Sequence, residues 1–340
     1  MQIIHSDPWY VSEEDFPRQG PPVDRWRFLL QYAILAPSSH NAQPWLFHVQ
    51  PKQVELRADQ TRALPVVDPE DRELVIGCGA ALYHLRLALH YFGYAGEVEL
   101  LPDPDRPDLM AVVRWGGAWT PTDEERALFQ AILLRRTNRR RFEDRHVPAP
   151  LVAELQAAAE AEGAWLDVVE GDQRLALADL IAEADYRQMA DRRFRRELAA
   201  WIHPNRLVSR DGMPAYAAGV TAVVETGGPF VLRTFEDSGT QAAIDRRIAL
   251  GSPLLAVLGS DHDDAQHWLQ SGQALAHLLL AACAQGVSAS YLNQPVEVPE
   301  LRPKLATMLD RLSFPQLVLR LGYGPEVKPT QRRPLSDVLV

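Results

Sequence analysis

Two fifteen-residue stretches, GAALYHLRLALHYFG at 79–93 and GQALAHLLLAACAQG at 272–286, lie 193 positions apart and coincide at eight places, including both bounding glycines and a histidine. Each has the pattern of an apolar helix that stops at a C′ glycine, where a residue without a Cβ turns left-handed at little cost. Both are apolar almost all the way round, which predicts helices buried on most sides. Composition alone would make two Ala/Leu-rich helices alike, but it would not align their surroundings. The runs LMAVVRW and PQLVLRL, each closed by glycine, follow the two helices in turn, and WLFHV and WLDVV each follow an amphipathic helix. The chain is therefore expected to hold two copies of one α+β unit, in the order helix, strand, buried helix, strand. The repeat also explains Gly79 as a packing residue. The short Gly77-x-Gly79 pattern is not read as a dinucleotide loop, because a third glycine and a clear preceding strand are missing.

The chain has 340 residues, enough for one large domain or two medium ones with a substantial core. The halves are placed at 1–125 and 126–340, with an extra lid-like segment at about 186–249 in the second half. That segment carries a basic helix, YRQMADRRFRRELAAWI, and Gly- and Pro-punctuated stretches of the kind that form lids or interface arms. A formal net charge of −10 argues against a nucleic-acid partner, which would need a cationic face. The two cysteines, Cys78 and Cys283, have no metal-like or redox spacing and suit a reducing compartment. The N-terminus lacks the basic-then-apolar pattern of a signal peptide and no run has the length of a membrane span, so a cytoplasmic protein is expected.

Positive charge concentrates in LLRRTNRRRFEDRHVP, where Arg135, Thr137 and Arg139 alternate and would project to one side of an extended backbone. Two guanidinium forks and a hydroxyl on one face suit a phosphate dianion. A second basic element, TQRRP with Arg332 and Arg333, follows the last expected strand. The first half offers APSSHNAQPW, a small-polar cluster between two prolines that reads as a helix stop and a turn. His40 beside Ser38 and Ser39 lacks a nucleophile elbow. His84 and His277, at matching repeat positions, are expected to be structural. The acidic DHDDAQHW is read as helix capping rather than a metal site, and the arginines at 192–196 as a solvated helix face.

Taken in order, APSSHNAQPW, Arg135-x-Thr137-x-Arg139 and the terminal LGYG…RRP resemble the FMN-dependent nitroreductase superfamily, and most of all its internally duplicated Acg-like branch. GSPLLAVLGS, RDGMPAY and SYLNQPVEVPELRPKL resemble that branch as well. The likeness runs from about residue 26 to about residue 339. It implies an α+β, nitroreductase-like fold in which two tandem degenerate copies form an intrachain pseudo-dimer with FMN at the interface. By that resemblance Arg135, Thr137 and Arg139 hold the phosphate and ribityl chain, helped by Arg332 or Arg333. Pro37, Ser38, Ser39 and Asn41 approach the flavin ring from the other half, and Asn293 and Gln294 hydrogen-bond it. No side chain is assigned a catalytic role. Each half keeps what the other lacks, so one FMN per chain is expected. The implied activity is ping-pong hydride transfer from NAD(P)H, a transient co-substrate, through FMN to nitroaromatic, quinone or similar small-molecule acceptors. The alternative is a flavin-sequestering or storage protein whose inserted segment closes over the site. Neither nucleic acid nor membrane is an expected partner, and the chain would be a monomer containing its own pseudo-dimer, or a homodimer.

Overall fold

The computed structural model describes residues 7–203, 209–214 and 238–340. Helix α1 (Pro22–Ala33) begins at a proline, whose missing N–H costs nothing in a first turn, and buries Trp26, Phe28, Leu29, Leu30 and Tyr32. Strands β1 (Trp45–Val49) and β2 (Gln53–Ala58) form a hairpin. Helix α2 (Arg72–Tyr91) crosses to β3 (Tyr94–Leu100) and β4 (Leu109–Ala118), completing an antiparallel sheet of order β1-β2-β4-β3. Helix α3 (Asp123–Leu134) opens on a reciprocal capping box between Thr122 and Glu125. The second half then repeats the plan: α4 (Ala149–Ala161), β5 (Trp165–Val168), β8 (Leu254–Ser260), α8 (Ala265–Ala284), β9 (Ser288–Tyr291) and β10 (Phe314–Gly322). Its sheet is antiparallel in the order β5-β8-β10-β9, which is the first sheet's order with each strand replaced by its successor in kind.

The halves differ between the first two strands of each sheet. Only residues 50–52 separate β1 from β2, whereas β5 and β8 are separated by α5 (Gly171–Ala190), α6 (Arg192–Trp201), the two-residue strands β6 (Ile202–His203) and β7 (Met213–Pro214), and α7 (Ser238–Leu250). The extra segment therefore starts at α5 and not at residue 186, which falls inside that helix. Leu177, Ala178 and Ile181 of α5 are buried. The basic helix expected across this region is interrupted at Asp191, whose carboxylate caps α6 by accepting from the Arg193 N–H at 2.7 Å. The expectation that the arginines at 192–196 are all solvated fails at Arg195. It is 7% exposed and donates to the Met189 and Ala190 carbonyls at the end of α5, where a cation also meets the helix dipole. The parts of the expected lid at 204–208 and 215–237 lie outside the described residues.

A single apolar core runs through both halves, from Trp26 and Leu82 to Leu278 and Leu319. Its spine is α2 against α8, the most extensive helix–helix contact among the described residues. The repeat-matched glycines meet there. A Cβ on Gly79 would overlap the Leu269 carbonyl and come 3.0 Å from the Gly272 Cα, and a Cβ on Gly272 would overlap the Ile76 carbonyl and come 2.9 Å from the Gly79 Cα. Each glycine thus touches the partner helix at the same two places, the pattern of a self-complementary contact. At the helix ends Gly93 and Gly286 take positive φ. His84 is fully buried with Nδ1 3.2 Å from the Tyr32 carbonyl, and His277 stacks on Tyr83. Burial pushes their pKa values down to about 3 and about 4, so both stay neutral near pH 7. In the acidic stretch before α8, Asp264 caps the helix by accepting from the His267 N–H at 3.1 Å, and Asp263 takes a bidentate grip from Arg302 at 2.7 Å. No helix among the described residues is long and apolar enough to cross a membrane.

Candidate functional site

A cavity of about 230 Å³ opens where the two halves meet. Its walls come from the 36–45 loop, the first turns of α2, the segment after α3, β9 and the turn behind it, β10, the C-terminal segment, and helices α5, α6 and α7 of the extra segment.

The loop after α1 is built by its own polar side chains. His40, Asn41 and Gln43 all adopt positive φ, near 51–55°, which few residues other than glycine accept without compensation. The compensation is a hydrogen-bond lattice. Ser38 Oγ accepts from the Gln43 N–H at 2.9 Å, Ser39 Oγ donates to Glu73, and Asn41 Nδ2 donates to the Gly212 and Gln331 carbonyls. Arg332 closes it by donating to Asn41 Oδ1 at 2.8 Å and to the Leu35 and Ala36 carbonyls behind α1. Pro37, Ser38, Ser39 and Asn41 all border the cavity, but the Asn41 amide is already committed to holding the loop. Desolvation, then the Arg139 charge, pushes the His40 pKa down to about 4, so its ring is a neutral wall.

The arginine segment comes from the other half. After α3 the chain turns extended at Arg135 and pairs with β9 through a Thr137–Ala289 bridge and a 2.9 Å bond from the Asn138 N–H to the Ala289 carbonyl. Thr137 and Arg139 border the cavity. Arg135 lies behind that wall, 5% exposed, with Nε lacking a hydrogen-bond partner among the described residues. Arg332 borders the cavity and Arg333 does not: its guanidinium reaches the Gln43 and Asp337 carbonyls and Asp59, so it staples the C-terminus to the loop. Of the two alternatives in the C-terminal TQRRP, Arg332 is the one that borders the cavity.

Burial lowers the pKa of each of these guanidiniums, and like charge adds to it: Arg135 and Arg136 act on Arg332, and Arg139 acts on Arg320, whose pKa falls to about 10. Arg320 and Tyr291 were missed at the sequence level. Arg320 stands 2% exposed on β10, stacked 4.2 Å over Phe142. Its signal was legible as one charge inside the otherwise apolar PQLVLRL. The Tyr291 hydroxyl ends β9 without a partner among the described residues, and its pKa is raised by burial against the nearby arginines.

Carboxyls gather on another wall. Asn293 Oδ1 accepts from the Val318 N–H at 3.0 Å and its Nδ2 faces Glu73. Gln294 Nε2 donates to Asp245 Oδ2 at 3.1 Å. Burial, then repulsion from Asp245, raises the Asp185 pKa to about 8, and burial raises that of Asp245 to about 6. Glu297 is pushed well up by burial and by Glu73, and it accepts from Gln188 at 2.7 Å. Nothing in the sequence marks Asp185 or Asp245, because the helices that carry them are brought to the cavity only by tertiary packing.

The cavity therefore sets a cluster of buried guanidiniums, able to take an anion, beside acids whose pKa values burial raises and an apolar lining from Ile76, Leu275 and Leu317. No family model matches the chain. A Mycobacterium tuberculosis protein provisionally named an NAD(P)H nitroreductase is 32% identical over 94% of this chain and 92% of its own length. A second from that organism, carrying the same provisional description and the name acg, is 30% identical over 91% of this chain and 93% of its own. Among solved structures, the FMN- and NADPH-dependent nitroreductase NfnB of a sphigopyxis strain aligns over 62% of this chain and 96% of its own at 17% identity, with a TM-score of 0.42. Sequence identity of this level, sustained along nearly the whole polypeptide, shows that the chain belongs to the nitroreductase superfamily, on the branch of the Acg-like proteins.

Proposed function

We propose that this chain is an FMN-binding NAD(P)H oxidoreductase that reduces nitroaromatic, quinone or similar small acceptors, with one flavin site per polypeptide set between two degenerate copies of a single unit. The observation that carries the reading is the guanidinium cluster. Arg139, Arg320 and Arg332 line one cavity of an acidic chain with Arg135 behind its wall, and Arg135 Nε, Arg332 Nε and the Tyr291 hydroxyl have no partner among the described residues. A phosphate dianion fits such a cluster, since it accepts the idle donors and relieves the mutual repulsion that lowers these pKa values. Arg135, Thr137, Arg139 and Arg332 would hold it.

Bound FMN supplies the hydride and electron transfer that side chains lack. The chain's own work is to bind, orient and exclude water. Arg332 ties the 36–45 loop to the C-terminal segment, so the loop meets a ligand already shaped. Asn293 and Gln294, at the turn behind β9, would meet a heterocycle edge, with Gln294 Oε1 the acceptor that has no partner among the described residues. Helices α5, α6 and α7 close the side that the first half leaves open, through Met189, Phe194 and Ile248. The relatives' provisional names support a nicotinamide reductant. The matching strand orders and the reciprocal Gly79–Gly272 contact support the duplication.

The test is flavin content followed by anaerobic mixing. Purified protein should carry close to one FMN per chain, NADH or NADPH should bleach it within seconds, and a quinone should restore the colour. A ratio near two overturns the single-site reading. No bleaching over minutes overturns the reductase and points to sequestration.

A further inference from the structure

Asp185 and Asp245 stand on α5 and α7, which pack extensively on each other, and both side chains border the cavity while only 5% and 8% exposed. Gln294 donates its amide to Asp245. Asp185 Oδ2 and Gln294 Oε1 are buried without a hydrogen-bond partner among the described residues. The charge acting on Asp185 is the like charge of Asp245, while Arg139 and Arg320 act on Asp245 instead. Buried acceptors are costly unless a donor reaches them, and here two belong to residues of separate elements that line one cavity. Met189, Phe194 and Ile248 lie on the same side and would cover an apolar body.

We propose that this wall is a subsite for a cationic, N–H-rich group, a protonated amine or amidine, on the small molecule that the site accepts. The proposal deepens the oxidoreductase reading and rests on it for the role of that molecule as electron acceptor. The subsite matches charge to charge and supplies acceptors to donors, which a neutral carbonyl or nitro group cannot use. The charged and titratable groups facing it are Asp185 of α5, Asp245 of α7, Glu297 behind β9, Glu73 of α2, Arg139, Arg320 of β10 and His40. Arginines and a neutral His40 hold their state between pH 5 and pH 8, so the buried acids Asp185, Asp245 and Glu297 set the pH response of the wall.

The experiment is calorimetric titration of the purified full chain with benzamidine, and with benzyl alcohol as the neutral probe. At pH 8 benzamidine should bind at least ten times more tightly than benzyl alcohol. Asp185→Asn and Asp245→Asn should each weaken it about tenfold, and Glu99→Gln, on the solvated edge of the first sheet, should change nothing. Lowering the pH from 8 to 5 should weaken benzamidine binding to the wild-type chain by about tenfold, because the carboxyls take up protons while the amidine stays charged. That series needs no variant to fold. Equal affinity for the two probes, no pH dependence, or no effect of either Asn substitution overturns the proposal. Binding is read without turnover, so the two readings fail separately. Benzamidine binding without bleaching by NADH or NADPH overturns the oxidoreductase and leaves the subsite; bleaching without benzamidine binding does the reverse.

Discussion

The two sheets have the same strand order but opposite outer faces. On the first, the outer face of β2 and its neighbours is ionic: Glu55 pairs with Arg57 and Arg106, and Glu99 with Arg114. On the second, Leu255 and Val257 of β8 and Val318 of β10 form a separate apolar cluster with Leu177 and Ile181 of α5 and Ala249 of α7. The inner faces are alike. Val54 and Leu56 in one sheet, and Ala256, Leu258 and Leu319 in the other, join the common core beneath α2 and α8. A strand has two faces, and alternation lets one of them change while the other is kept. The first half closes its outer face with ion pairs. The second uses it to dock the helices that wall the cavity.

The sharpest way to break this comparison is to exchange the character of each outer face, a charge for a valine on the second and a valine for a charge on the first. Val257→Glu buries an unpaired carboxylate against α5 and should cost about 4 kcal/mol or more, read as loss of the folded chain in urea. Glu55→Val on the first sheet should cost about 1 kcal/mol or less. Equal costs would show that the outer faces do not differ in kind.

The inner faces make the opposite prediction. Gly79→Val and Gly272→Val should each destabilise by about 3 kcal/mol, and by nearly the same amount, because each Cβ runs into the partner helix backbone at the matching place. Gly117→Ala, with nothing within 4 Å, should stay within about 0.5 kcal/mol. Unequal denaturation midpoints for the two valines would mean that the halves do not meet symmetrically.

Asymmetry at the site is tested by ligand content. Arg135→Ala with Arg139→Ala should yield folded protein that loses its FMN absorbance on desalting, with circular dichroism unchanged. Flavin retained by that pair would move the phosphate elsewhere.

The smallest effect concerns α5. Asp185 ionises only at raised pH in the folded chain but in the ordinary carboxylate range once unfolded. The wild type therefore loses stability as pH rises from about 4 to about 8. Asp185→Asn does not titrate and should gain about 1–2 kcal/mol on the wild type between pH 5 and pH 8, read from urea midpoints at the two values. A gap that stays constant with pH would show that this carboxyl is not held neutral by burial.

Much of the plan was legible. The glycine-bounded repeat marks α2 and α8 because a helix that must touch a backbone needs glycine at the contact, and a glycine shows in the sequence. The pattern Arg135-x-Thr137-x-Arg139 marks an extended segment because alternation survives in the letters. The sequence resolved the short strands less well. Strand β2 received no reading of its own, since six residues of mixed polarity carry little periodic signal. Arg195 read as solvated because its five-residue neighbourhood is basic, yet the end of α5 supplies carbonyls that draw it in. Arg333 read as a cavity residue because it adjoins Arg332, and one step along an irregular segment turned it to Asp59 instead.

By itself, then, the sequence determined the repeated unit, its buried helices, the loop at 36–45 and the cluster of arginines. All of these are local patterns, set by which side chains tolerate a given backbone. Tertiary structure alone decided that Arg332 spans 291 positions to hold Asn41, that Arg320 turns toward the cavity, and that Asp185 and Asp245 face each other across two helices. Those relations depend on how elements far apart in the chain come to share one desolvated space. Burial, which turns a solvated carboxylate into a neutral acid or an idle guanidinium into an anion trap, belongs to that space and not to any stretch of letters.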